Sequence, residues 1–201
     1  MRKILVLLTV LFLIIGCTTS EQHKKETSNQ ENYQVDVVVI GAGGAGMAAA
    51  LEVKNAGLDV VILEKMSYIG GNTVRSEGGL NATETDFQNE KGIEDTVELM
   101  VEDTLKGGKE INDKELVQYL AENSSNTIDW LTSIGMDMSD VGQRAGASKP
   151  RMHRPSDGSK IGGVLVPTLQ AALDKADISV LTNTTVTKLL ANDNNEVVGY
   201  K

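Results

Sequence analysis

Cysteine is almost missing from this chain. Its one thiol, Cys17, excludes a disulfide framework, a cysteine-rich zinc site and a C-x-x-C-H haem attachment within these residues. Histidine is scarce, with His23 and His153 alone. An excess of basic charge is lacking too. Lys and Arg number 19 against 28 Asp and Glu, a net charge of -9 with no basic stripe, which argues against nucleic acid as a partner. Aromatic residues make up 3% against 20 glycines, a balance that favours close backbone packing over aromatic bulk. The apolar run Ile4 to Ile15 is too short to span a bilayer. The 201 residues present suffice for one ordinary globular domain with a core, plus a short extra segment.

That segment is N-terminal. Met1-Arg2-Lys3 is a positive start, Ile4 to Ile15 an apolar h-region, and Ile14-Ile15-Gly16-Cys17 resembles a bacterial lipobox. The resemblance implies that residues 1–17 are a lipoprotein signal peptide and that the Cys17 thiol takes a diacylglyceryl group. Two or three acyl chains hold a protein on a membrane where one binds marginally. Residues 18–34 are too polar to offset the entropy of ordering and read as a flexible tether. The expected location is extracytoplasmic, lipid-anchored to the cell membrane.

The folded part, residues 35–201, opens on a nucleotide signature. Val35 to Ile40 is a β-branched run suited to a parallel strand buried on both faces. Gly41, Gly43 and Gly46 supply G-x-G-x-x-G, Met47 to Ala56 reads as a helix ended by Gly57, and Asp59 to Leu63 as a second strand. Gly41 permits the tight turn, Gly43 lets backbone approach a pyrophosphate, and Gly46 lets helix and strand pack closely. Free N–H groups and the positive helix end then face the phosphates. Glu64 closes the second strand, where a carboxylate can accept both ribose hydroxyls of an adenosine. A nicotinamide domain would continue into another βαβ unit. Lys65 to Asn81 is instead irregular, with Gly70-Gly71 and Gly78-Gly79 able to lie against a pyrophosphate and the edge of a flat ring. This favours FAD.

Residues 35–201 resemble the flavoprotein subunit of flavocytochrome c-type fumarate reductases and the related urocanate reductases. The carrying stretches are Val38 to Gly46, Glu64-Lys65 with Ile69 to Asn72, Gly78 to Ala82, Glu98 to Met100, Asp103-Thr104, Lys106 to Gly108, Asp129 to Leu131, Asp140 to Gly142, Gly146 to Ser148 and His153 to Pro155. The resemblance implies an α/β, Rossmann-like FAD-binding fold of the glutathione reductase type, with inserted helices and a small β-meander. It places Gly41, Gly43, Ala45, Gly46, Glu64, Lys65, Asn72, Thr73, Gly78 and Gly79 in the cofactor site, with Val186 against the adenine. Relatives that attach FAD covalently carry a histidine before the flavin-side glycines. Asn72 to Ser76 has none, so the expected FAD is non-covalent.

The same resemblance implies hydride transfer from flavin N5 to a small unsaturated carboxylate, with protonation by an arginine further downstream. Neither a catalytic residue nor a metal site is assigned within the chain, which is expected to be the N-terminal portion of a longer enzyme lacking its capping domain. Electrons are expected from a separate flavin, haem or quinol-linked donor. Alternatives are a urocanate or ketosteroid-type enone as substrate, dehydrogenation in place of reduction, and a truncated non-catalytic surface lipoprotein.

Apolar spacing predicts helices over Ile93 to Leu105, around Leu116 to Leu120 and around Ile128 to Leu131, with Trp130 a core anchor. Pro167 to Ala176 reads as a helix with proline in its first turn. Ile178 to Leu181, Thr185 to Leu190 and Val197 to Tyr200 read as strands. Arg144, Lys149, Arg151, His153 and Arg154 form a basic cluster, read as a solvated loop or a lure for anions. His153 is expected to be structural or flavin-side, not the proton donor.

Overall fold

The computed structural model describes residues 34–201. The expected signal peptide, its Cys17 and residues 18–33 of the tether lie outside the described residues. In chain order the first elements are β1 (Val37–Ile40), α1 (Gly44–Asn55), β2 (Val60–Leu63), a short 3-10 turn (Thr73–Arg75), β3 (Leu80–Asn81) and α2 (Asp86–Glu90). Then come α3 (Val97–Gly107), α4 (Lys114–Glu122), α5 (Ser124–Ser133), β4 (Asp140–Gly142) and β5 (Met152–Arg154). The last are α6 (Ile161–Lys175), β6 (Ser179–Leu181), β7 (Leu189–Ala191) and β8 (Val197–Tyr200).

The first sheet is parallel, in the order β1-β2-β6. Every side chain of central β2 is buried, which is why it carries no polar residue. Burial of each of its Val, Ile and Leu side chains is worth about 1.5–3 kcal/mol. α1 lies against β1 and β2 and packs along α6. Met47, Ala50 and Leu51 from α1 meet Val166, Leu169 and Leu173 from α6 and Ile62 from β2 in one core cluster. Ile128, Leu131, Met136, Met138, Ala82 and Ile161 build a second.

An antiparallel sheet, β3-β5-β4, has its central strand from the basic cluster. Its strands are two or three residues long, too short for any period to register in the sequence. α2 is equally short and rests on a capping box, in which Thr85 and Gln88 satisfy each other's backbone N–H groups.

Several boundaries differ from expectation. α3 begins at Val97 rather than Ile93, because the Thr96 side chain accepts the Leu99 N–H and sets the cap there. α6 starts six residues before Pro167, so the proline sits inside the helix. Gly162 and Gly163 lie in its first turn. A Cβ at Gly162 would collide with the Thr73 carbonyl oxygen, so glycine is required at that crossing. The strand expected over Thr185 to Leu190 is confined to β7, which pairs with β8 as a hairpin. Trp130 is half-buried and packs against both clusters instead of anchoring one.

Candidate cofactor-binding site

The turn after β1 sets the site. Gly41 adopts φ +103, a conformation costly for any other residue, and donates its N–H to Leu63 of β2 at 2.7 Å. A Cβ on Gly46 would strike the Gly41 carbonyl oxygen, so this glycine permits α1 to start directly over the turn. α1 has Gly43 at its N-cap, no side-chain cap and no acidic residue in its first turn. Four N–H groups at such a terminus lack partners inside the helix. One of them, on Gly44, donates to Thr73 Oγ1 at 3.0 Å. Those of Gly43, Ala45 and Gly46 stand at the positive end of the helix, where anions bind.

Glu64 follows β2 and is 6% exposed. Its Oε1 accepts the Met66 N–H and its Oε2 the Ala42 N–H, each at 2.8 Å. The Met66 and then the Ala42 N–H hold this carboxyl below its usual 4.5, against the opposing pull of burial. A carboxylate offers about four lone-pair sites, so acceptor capacity remains for two hydroxyls. Asn183 donates to the Met66 carbonyl at 2.9 Å and Thr184 to that of Glu64 at 2.8 Å. These bonds bring the segment after β6 alongside Glu64, with half-buried Val186 two residues on.

The loop from Lys65 to Ser76 folds back over the helix start. Lys65 and Asn72 are exposed and Thr73 half-buried. Gly70, at φ +99, donates to Ala42 at 2.7 Å and bridges Gly43. Gly41, Gly43, Ala45, Gly46, Thr73 and Glu64 thus converge around one helix terminus. Beyond the 3-10 turn, a Cβ on Gly78 would meet open space, whereas one on Gly79 would strike the His153 carbonyl oxygen. The two glycines therefore differ: Gly79 is demanded by β5, and only Gly78 leaves room for a ligand.

Within the basic cluster Arg144 is exposed and Lys149 half-buried, but Arg151 and the β5 residues His153 and Arg154 are tied up by partners. Arg151 is 2% exposed and forks onto Asp95, with Nε to Oδ2 at 3.0 Å and Nη2 to Oδ1 at 2.7 Å. Its Nη1 meets Asp103 at 2.9 Å. Arg154 pairs with Asp140 at 2.6 Å. His153 is fully buried, and burial pushes its pKa down. Its Nδ1 faces the Arg151 carbonyl at 2.9 Å, which can only accept, so Nδ1 carries the proton. Nε2 then accepts from the Thr85 hydroxyl at 2.8 Å. These partners make His153 structural. Sequence reasoning missed Ala42, Met66 and Thr184, which act through backbone groups any residue possesses, and the Arg151 pairing.

An uncapped helix terminus, a glycine turn without Cβ atoms and a carboxylate with spare acceptors fit the diphosphate and ribose of a dinucleotide. The sequence profile of the FAD binding domain family matches residues 36–201. This chain belongs to that family. The cofactor is FAD. The fumarate reductase (cytochrome) of Shewanella frigidimarina is 44% identical over 82% of this chain and 29% of the relative. The urocanate reductase of Eggerthella lenta is 35% identical over 92% of this chain and 32% of its own. An open conformation of a flavocytochrome c3 fumarate reductase superposes with a TM-score of 0.79 and 41% identity, over 83% of this chain and 29% of that one. The chain therefore spans about a third or less of the length of these relatives.

Proposed function

We propose that the chain holds FAD for a flavin-dependent reductase of a small unsaturated carboxylate of the fumarate class. Bound FAD supplies the hydride, from N5 of its reduced ring, for the C=C bond. The residues here bind and orient: Gly43, Ala45 and Gly46 N–H groups hold the pyrophosphate, and Glu64 the ribose hydroxyls. Asn72 and Thr73 lie beside them, Val186 faces the adenine, and the backbone at Gly78 borders the ring. Asn72 to Ser76, where relatives that bind FAD covalently carry a histidine, has none, which supports FAD held without a covalent bond. A separate flavin, haem or quinol-linked donor delivers the electrons. Acyl chains on Cys17 keep the protein on the outer side of the cell membrane.

The observation that carries this reading is the Glu64 carboxylate beside the uncapped terminus of α1. The test uses the full-length polypeptide. Acid precipitation should release free flavin into the supernatant, and reduced viologen should be oxidised on adding fumarate. A colourless protein that stays colourless with added FAD sinks the reading. Urocanate is the second substrate to try, because the Eggerthella lenta relative aligns over more of the chain.

A further inference from the structure

Arg151 is the most heavily tied buried charge among the described residues. One guanidinium bridges two carboxylates, Asp95 ahead of α3 and Asp103 within it. Asp95 also accepts from Gln88 Nε2, which reaches the Pro150 carbonyl as well. Asp103 receives the N–H and hydroxyl of Ser148. Burial pushes its carboxyl up, and the Ser148 and Arg151 donors outweigh this to leave it low. Lysine cannot reproduce such a fork, since its ammonium is a point charge.

The backbone of the same residue is bonded to the chain just after β3. The Arg151 carbonyl accepts the Ala82 N–H at 2.9 Å and faces His153 Nδ1. Leu80 then pairs with His153 and Asn81 with Met152. Gly79 lies so close to the His153 carbonyl that a side chain has no room. Any shift of residue 151 therefore travels through β5 into the segment Gly78 to Asn81. The adenosine side, by contrast, is built from α1, Glu64 and Thr184, none bonded to Arg151.

We infer that Arg151 is a positioning residue for the flavin half of the site, clamped by Asp95 and Asp103 so that the Gly78–Asn81 backbone stands at a fixed depth against the ring. This rests on the FAD reading above. The two halves of the ligand give the test. ADP probes the adenosine half alone, whereas FAD probes both.

In full-length protein stripped of cofactor, Arg151→Lys should weaken FAD binding about tenfold while ADP affinity stays within about twofold. The visible flavin band of the reconstituted variant should shift. Asp103→Asn, which keeps the shape of its side chain at a partly exposed position, should show the same split at smaller amplitude. This second variant decides the matter if Arg151→Lys does not fold. Equal loss of ADP and FAD in Asp103→Asn, or no loss of either, overturns the positioning role. Failure of the unaltered protein to bind FAD or ADP overturns the site itself instead.

Discussion

The charge on Glu64 is held by backbone amides, which ties cofactor binding to local geometry. Glu64→Ala should weaken FAD binding by about 1–3 kcal/mol through loss of a charged acceptor, read by titration of stripped full-length protein. Acid should act in the same direction. In the folded chain both Glu64 and His153 lie below their usual 4.5 and 6.5. The unfolded state then binds more protons, so stability is complete above the ordinary values and falls on acidification. His153 contributes the loss that begins below 6.5, and Glu64 shares the loss at lower pH with other carboxyls held low, Asp103 among them. Urea midpoints across this range should decline as pH drops, and Glu64→Gln should flatten the lower limb. The glycines separate two roles. Gly46→Ala forces a methyl onto the Gly41 carbonyl and should cost about 1–3 kcal/mol of stability. Gly78→Ala, with open space around its Cβ, should leave unfolding unchanged and lower FAD affinity alone.

At the level of elements, Thr85 does two jobs. It caps α2 and donates to His153 at the centre of β3-β5-β4. Thr85→Val should lower local stability by about 1–2 kcal/mol, seen as faster amide exchange in both α2 and β5 and little change in α1. Such couplings mark the limit of what the sequence reveals. β1, α1 and β2 were legible because an apolar run, three glycines and an acidic residue each leave a local pattern. β6 was legible as a short apolar run after a helix. The second sheet was not, since three strands of two or three residues have no period. The pairing of Arg151 with Asp95 joins residues 56 apart, and nothing in either neighbourhood announces it. Pro167 misled because its ordinary place is a first turn, whereas here the helix begins at Ile161 and crosses the Thr73 backbone at Gly162.

At the scale of the molecule, an acidic flavin-binding fold follows an N-terminal stretch for which we propose an anchoring role. A net charge of -9 disfavours electrostatic adhesion to anionic lipid, so the membrane attachment we propose would rest on Cys17. The two acyl chains of a diacylglyceryl group on that sulfur would give stable anchoring, and residues 18–34, if a tether as proposed, would separate the folded part from the headgroups. Cys17→Ser should therefore move the full-length protein from the membrane pellet to the soluble extracytoplasmic fraction. The change leaves residues 34–201 untouched, so the released protein should retain its yellow colour and its FAD affinity. High-salt washing separates the alternatives: unaltered protein should stay in the pellet and leave it only with detergent. Persistent pelleting of Cys17→Ser after that wash would reject the lipid anchor, and loss of flavin on release would reject the independence of anchor and fold.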